Sequence, residues 1–306
     1  MIPKFQSSSQ LHSARQEDPG YFAVPGAHLY TVLHRVVDPL ARVLLVGPFA
    51  SERHSTYTPW VRWARYLAEH NIEVLRYDYR GIGESTGSFE EMTFDDWEED
   101  LRLLVGWLRQ RSPNVPLILN GLQLGAVLAG RAFDHGAGDA LLLWAPPVTA
   151  NEALKATLKR RVGFEQVLKI GDERKPASDY IRQMEQGCSV EVDGYLWSAD
   201  LWRNSLLFGI PPGLSDEGSE HLFRGKPVRV VKLDKQVDPG HTREQSDQDI
   251  DFNRLRADIF KLNGDNLRWH HTFKFWSEFK PYFSWLFADN LEWIARAAVI
   301  KDPNDD

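Results

Sequence analysis

Along the chain, the pattern of apolar and polar residues alternates repeatedly between one typical of strands and one typical of helices. Short, nearly continuous apolar runs are typical of strands buried on both faces, and they alternate with longer stretches whose apolar residues recur at helical spacing. Strands that alternate with helices through short loops predict an α/β fold with a doubly wound, mostly parallel sheet. The predicted strands are residues 42–48, 72–77, 116–120, 140–145 and 227–233, and the predicted helices are residues 59–70, 93–110, 124–134 and 281–298.

Two segments depart from this alternation. Residues 21–37 read as a β-hairpin with its turn at Pro25 and Gly26. Residues 147–220 are polar and helical, which predicts a cap inserted into the α/β core. A further strand is expected near residues 257–262 or 267–275. The predicted organisation is a polar leader (1–20), the first part of the core (21–146), the cap insertion (147–220), the second part of the core (221–300) and a polar tail (301–306).

Composition narrows the class of partner. The 306 residues are 42% hydrophobic, enough for a sizeable core, and the net charge of −7 argues against binding of nucleic acid. No secretory signal and no run of about 18 apolar residues is visible, so we expect a cytoplasmic protein without a membrane span. The single cysteine, Cys188, cannot form an intrachain disulfide. The sequence shows no dinucleotide-binding, phosphate-loop or metal-ligand spacing, so we expect neither a cofactor nor a metal.

The stretch "LILNGLQLGAVLAG", residues 117–130, carries the clearest candidate site. An apolar strand enters a turn flanked by Gly121 and Gly125, and a helix of small residues follows. This is the strand–turn–helix context in which hydrolases expose a nucleophile. The tip of the turn is Gln123, where a serine would stand in an esterase. A glutamine amide has no accessible pKa and is a very poor nucleophile.

Three stretches in this order carry a family resemblance: "VLLVGPF", "VLRYDYRGIGESTG" and "LILNGLQLG". Together they resemble the α/β-hydrolase superfamily, in its serine aminopeptidase-like branch. Four further stretches are similar to a bacterial family called exosortase-system-associated hydrolase type two, whose members tend to carry a non-serine residue at the elbow. These stretches are "GLQLGAVLAG", "LLLWAPPV", "CSVEVDGYLWS" and "FKFWSE".

The resemblance implies a role for several positions. Gln123 occupies the nucleophile position, between the elbow glycines Gly121 and Gly125. The backbone N–H groups of Phe49 and Leu124 occupy the two oxyanion-hole positions. In the loop before Phe49, a glycine stands where the superfamily usually has histidine.

The resemblance leaves the acid and the base open. For the acid, "LDKQVDPGH" offers Asp234 or Asp238, although strict spacing falls on Gln236. For the base, "NLRWHHTFKFWSE" offers His270 or His271, and alignment of the Phe-Trp pair places Lys274 nearer the expected position.

Two alternatives concern other residues. Ser51 or Ser55 could act as a relocated nucleophile, because both lie near Glu52 and His54 after the oxyanion loop. Sequence proximity is a weak signal, since a triad is defined in space. The basic run Lys155, Lys159, Arg160 and Arg161 in the cap is expected to be a solvated helix face.

These features favour a non-catalytic protein on a hydrolase scaffold. It would bind a small acyl, ester or carboxylate-type ligand, or a protein partner, which includes a second copy of itself. The resemblance suggests a link to bacterial exopolysaccharide and exosortase systems. The alternative is an esterase, thioesterase or acyltransferase of atypical mechanism, in which preorganised donors act without a covalent step.

Overall fold

The computed structural model describes residues 16–168, 175–214, 220–231 and 280–299. The strands within these ranges are β1 Gln16–Val24, β2 Ala27–Arg35, β3 Ala41–Val46, β4 Ile72–Tyr77, β5 Leu117–Leu122, β6 Ala140–Trp144, β7 Val190–Val192, β8 Tyr195–Trp197, β9 Glu220–Phe223 and β10 Lys226–Val231. The helices are α1 Glu52–Glu69, α2 Phe94–Arg111, α3 Leu124–Asp134, α4 Ala150–Leu168, α5 Ala177–Glu185, α6 Ala199–Leu207 and α7 Lys280–Ala297.

Eight of these strands form one sheet in the order β1-β2-β4-β3-β5-β6-β10-β9. The five central strands, β4 to β10 in that order, are parallel, whereas β1, β2 and β9 pair antiparallel at the edges. The predicted doubly wound, mostly parallel sheet is therefore confirmed. The hairpin at Pro25 and Gly26 is confirmed too, and β1 starts at Gln16, inside the segment expected to be a leader.

Helices cover both faces of the sheet. Along β3, Val43 and Leu45 belong to the apolar cluster that includes α1 and α7, whereas Leu44 and Val46 belong to the cluster that includes α2 and α3. Successive side chains of a strand point to opposite faces, so a strand covered on both sides reads as a continuous apolar run. All six residues of β3 are buried.

The predicted helix over residues 59–70 is wrong at its start. Helix α1 begins at Glu52, and Pro59 lies inside it. The first turns show little apolar spacing because their side chains make polar contacts. Glu52 interacts with the cap, and Arg53 forms an ion pair with Asp78 at the end of β4.

The segment predicted to form a cap, residues 147–220, contains more than helices; we call it the cap. Helices α4 to α6 pack on the side of the sheet that carries α2 and α3, and residues such as Leu158 and Trp202 join the same apolar core. Strands β7 and β8 form a hairpin that the sequence analysis did not predict. Its turn is Asp193–Gly194, where both residues have positive φ, 50° and 86°. The expected strand near 257–262 or 267–275 lies outside the described residues.

The turn from β5 to α3 is shaped by close backbone contacts. A Cβ atom on Gly125 would overlap the carbonyl oxygens of Val46 and Gly47 at the end of β3. A Cβ atom on Gly121 would overlap the backbone of Ala126. Glycine is therefore required at both positions by the packing of α3 against the sheet, whatever residue lies between them.

Gln123 at the tip of this turn has a strained backbone. Its φ of 52° and ψ of −119° lie in a region that residues with a Cβ atom rarely adopt. The conformation is held by hydrogen bonds on both sides: Gln123 N–H donates to the Trp144 carbonyl, and Ala126 N–H donates to the Gln123 carbonyl, both at 2.9 Å.

His34 is a buried ionisable side chain where β2 pairs with β4. Its ring is 2% exposed, and its Nε2 accepts a hydrogen bond from Arg76 Nε at 3.2 Å, which requires the neutral ring. Burial, together with the positive charge of Arg76, lowers the pKa of His34 from its usual 6.5 to about 4.

The strain at Gln123 predicts an unusual order of stability. Gln123→Gly should have a higher free energy of unfolding than Gln123→Ala, by about 1 kcal/mol or more, because only alanine keeps the Cβ atom at positive φ. Denaturant unfolding of both variants measures this difference. At Gln110, in helix α2, the same pair of substitutions should give the reverse order, because glycine weakens a helix. A Gln123→Gly variant less stable than Gln123→Ala would contradict the strained turn.

His34 predicts a loss of stability in mild acid. As the pH falls from 6.5 towards 4, the unfolded chain takes up a proton on His34 before the folded chain does. The stability present above pH 6.5 should therefore fall, with a contribution from His34 on the order of 3 kcal/mol. Urea unfolding across this range should show a shallower loss for His34→Gln, whereas His70→Gln, at the exposed end of α1, should behave like the wild type. Equal losses in the two variants would contradict this account.

Candidate functional site

Two backbone N–H groups lie at the carboxyl edge of the sheet. Phe49 follows β3, and Leu124 is the first residue of α3. A Cβ atom on Gly125 would overlap the carbonyl oxygen of Gly47, which shows that the loop after β3 lies next to the first turn of α3. Among the backbone hydrogen bonds of the described turns, loops and caps, neither N–H group is a donor. This is the arrangement in which a helix start and a loop bind a carbonyl oxygen or an anion.

The ring of Phe49 fixes the loop after β3. It is 4% exposed and lies within an aromatic cluster that joins the core to the β7–β8 hairpin of the cap. Rings at such distances and angles gain energy beyond the burial of their surface. The rings within 6.0 Å of Phe49 are Phe89, Phe94, Trp97 and Trp197. The aromatic cluster therefore holds the loop at a fixed place above the sheet.

Among the described residues, the side chain of Gln123 has no hydrogen-bond donor for its oxygen. Its Oε1 atom is buried and accepts no hydrogen bond from any described residue. A buried acceptor without a donor costs roughly 1–3 kcal/mol, so such atoms are rare in folded proteins. The side chain can donate and accept hydrogen bonds, but it holds no proton that a base could remove.

A buried polar network lies in β5 just before the elbow. Asn120 is fully buried, its Oδ1 accepts from Trp63 Nε1 at 2.8 Å, and its Nδ2 donates to the Leu142 carbonyl at 3.1 Å. The network ties β5 to α1 and to β6. Sequence analysis missed Asn120, although a polar residue inside an otherwise apolar strand is a visible signal that a buried partner exists.

The cap contacts the site through an arginine. Arg160 of α4 donates from Nη1 to Glu52 Oε1 and from Nη2 to Ser51 Oγ, both at 3.3 Å, and lies 3.4 Å from Asp193 Oδ2. Thr157 of α4 donates to the same Glu52 oxygen at 3.3 Å. Burial raises the pKa of the Glu52 carboxyl, while the charge of Arg160 acts in the opposite direction.

The basic run of the cap is therefore not simply a solvated face. Arg160 forms ion pairs with Glu52 and Asp193, and Arg161 forms one with Glu191 Oε2 at 3.1 Å. The side chains of Arg160 and Arg161 are only 24% and 16% exposed. Water therefore screens their ion pairs less than it would screen those of fully exposed arginines. The expectation was wrong for Arg160 and Arg161, because spacing alone does not show which acidic groups a helix contacts, whereas Lys155 and Lys159 are exposed as expected.

The positions proposed for the acid and the base cannot be placed. Asp234, Asp238, His270 and His271 all lie outside the described residues, as do Gln236 and Lys274. Strand β10 is described as far as Val231, whose carbonyl accepts a hydrogen bond from Ala145 N–H at 2.8 Å. The side chains of His54 and Ser55 are also outside the description. The assignments of acid, base and relocated serine therefore stay predictions. Ser51 Oγ accepts a hydrogen bond from Arg160, a group that cannot act as a base.

The described residues hold neither a metal-binding cluster nor a membrane-spanning helix. No three histidine, cysteine, aspartate or glutamate side chains there are grouped so that they could hold a metal ion. None of the helices described is both long and apolar enough to cross a membrane.

This chain is similar to a curated protein and to several solved structures. A Salmonella typhimurium protein named Uncharacterized protein YfhR is 30% identical over 139 residues, which is 43% of this chain and 45% of that protein. The chain thus matches a little less than half of this relative's length. Among solved structures, XC6422 from Xanthomonas campestris, described as an a/b serine hydrolase without lid, is 25% identical with a TM-score of 0.38, over 48% of this chain and 65% of that one. A putative hydrolase from Agrobacterium vitis S4 is 16% identical with a TM-score of 0.48, over 71% of this chain and 78% of that one.

A family model described as "Serine aminopeptidase, S33" matches residues 28–185. The match covers just over half of the chain. It runs from β2 into α5 and includes the loop after β3 and the elbow that carries Gln123. The sheet order and this match agree, and the chain belongs to the serine aminopeptidase S33 family of the α/β-hydrolase superfamily.

Proposed function

We propose that the elbow site binds an acyl ligand without hydrolysing it, so that the protein is a non-catalytic, ligand-binding member of its family. The observation that carries the proposal is the side chain of Gln123 at the nucleophile position, whose buried Oε1 atom has no hydrogen-bond partner among the described residues. A ligand that supplies the missing donor would remove the cost of leaving this atom unsatisfied.

The chemistry of the site supports binding over covalent catalysis. Covalent hydrolysis needs a nucleophile that a neighbouring base can deprotonate, and the amide of Gln123 offers none. The parts that stabilise a carbonyl oxygen remain, because the N–H groups of Phe49 and Leu124 depend on the backbone and not on the side chain at the tip. Loss of the serine therefore leaves a carbonyl-binding site.

The polarity of the site suggests the class of ligand. The two N–H groups would donate to a ligand carbonyl, while Gln123 Oε1 would accept from an N–H or O–H group beside it. A primary amide or a protonated carboxylic acid carries both groups on one carbon, whereas an ester lacks the donor. The helices of the cap would cover the rest of an acyl chain, in the crevice that this fold leaves at the carboxyl ends of its strands.

The wider setting is part of the same proposal. The resemblance of "GLQLGAVLAG" and "CSVEVDGYLWS" to exosortase-system-associated hydrolases suggests a cytoplasmic protein in a bacterial exopolysaccharide or exosortase system. In such a setting the bound ligand, or a protein partner recognised together with it, would be sensed or carried and not cleaved.

Binding of matched acyl probes tests the proposal. We expect hexanamide to bind the full-length protein more tightly than methyl hexanoate, because only the amide can donate to Gln123 Oε1. Gln123→Ala should weaken hexanamide binding about tenfold, which corresponds to about 1.4 kcal/mol for one lost hydrogen bond. Isothermal titration calorimetry measures both effects.

Gln110→Ala is the matched control, since it removes an exposed glutamine from α2 and should leave the affinity unchanged. The proposal fails if neither probe binds the wild type in a saturable manner. It also fails if Gln123→Ala binds hexanamide as tightly as the wild type does.

A further inference from the structure

A pocket lies between α1 and the loop that follows β3. It is a small, partly open cavity of about 30 Å³ between α1 and the carboxyl ends of β3 and β4. We call it the Tyr57 pocket; the residues that matter for its chemistry are Gly47, Arg53, Tyr57, Trp60, Arg76 and Asp78. Neither Gln123 nor Leu124 lines it, so it is separate from the proposed acyl site.

Two arginines in this pocket share one aromatic ring. The guanidinium carbon of Arg53 lies 5.0 Å from the centroid of the Tyr57 ring, and that of Arg76 lies 5.7 Å from it. Stacking on the same ring brings two positive charges to one place, which is costly unless negative charge compensates them. The Tyr57 pocket therefore concentrates positive charge in a chain whose net charge is −7.

Only one of these charges is compensated within the pocket. Arg53 Nη2 donates to both carboxylate oxygens of Asp78 at 2.8 Å, so this pair is neutral. Arg76 has neutral partners: its Nε donates to His34 Nε2 at 3.2 Å, and its Nη1 donates to the Tyr57 hydroxyl at 3.3 Å. Among the described side chains that line the pocket, the carboxylate is that of Asp78, which pairs with Arg53, so Arg76 has no ion-pair partner there; the charge of Glu17, outside the pocket, offsets that of Arg76 only in part.

Three donors remain available. Arg53 Nη1, Arg76 Nη2 and Trp60 Nε1 make no hydrogen bond with another residue in the ranges that the structure describes. The contacts to Asp78, His34 and Tyr57 fix the two guanidinium planes, so these NH₂ groups have little freedom to turn away. Trp60 is 7% exposed, and its Nε1 lies close to Gly47 in the pocket wall.

We propose that the Tyr57 pocket binds a compact oxyanion, the carboxylate or phosphate group of a small molecule. The fixed N–H donors of two guanidinium groups match the oxygens of either group, and the bond gains strength because both partners are charged. The anion would neutralise Arg76 and accept from the indole N–H of Trp60. The pocket would then hold the acidic end of a ligand, or a separate acidic effector, at the back of the loop that carries Phe49.

Anion titrations of the full-length protein test this inference. We expect saturable binding of inorganic phosphate or of acetate, measured by calorimetry and tryptophan fluorescence at constant ionic strength, with sodium chloride as the reference anion. Saturation by phosphate alone would identify a phosphate site, and saturation by acetate alone a carboxylate site. A response to both anions no larger than that to chloride would overturn the proposal.

Variants locate the binding. Arg76→Met should weaken the affinity for the anion at least tenfold. Arg102→Met makes the same change of charge on the exposed face of α2 and should leave that affinity unchanged. Trp60→Phe keeps an aromatic ring and removes the N–H group, and it should weaken binding by about threefold to tenfold. If Arg76→Met does not fold, Trp60→Phe provides the test on its own. An unchanged anion affinity in Trp60→Phe would then refute the site. Gln123→Ala should bind the anion like the wild type, which separates this result from the fate of the acyl site.

Discussion

The structure depends on the close approach of the first turn of α3 to the end of β3. At this point Gly125 lies against the carbonyl oxygens of Val46 and Gly47, with no room for a Cβ atom. The approach forces the sharp turn that leaves Gln123 at a φ of 52°, and it sets the loop with Phe49 beside the start of the helix. The elbow is thus a consequence of how helix and sheet pack, and its shape does not require a serine.

Contacts from the cap stabilise the same region from above. The Phe49 ring packs against Trp197 of the β7–β8 hairpin, and Arg160 pairs with Glu52 directly after the loop. Partly buried ion pairs have a weak net effect on stability but favour one arrangement of the groups they join. The aromatic cluster and the ion pair therefore hold in place the loop whose N–H group we propose as a carbonyl donor. Preorganised donors contribute to binding as well as to catalysis.

Much of the fold could be predicted, because the central strands are short and mostly apolar and the helices between them have a clear apolar face. The turn at Asp193–Gly194 also carries a readable hairpin signal, which the sequence analysis overlooked. The start of α1 could not be found from spacing, since its first residues make polar contacts. At the site, the family pattern identified the elbow and its tip, but the contact between Arg160 and Glu52 joins residues 108 positions apart and leaves no local signal.

The central claim is that the hydrolase scaffold has kept a carbonyl-binding site and has no working nucleophile. Incubation of the full-length protein with a fluorophosphonate probe, followed by intact-mass measurement, tests this claim most directly, because such probes react covalently with activated serines. The account predicts that the mass stays that of the unmodified chain. A stoichiometric adduct, on Ser51 or on any other serine, would contradict it.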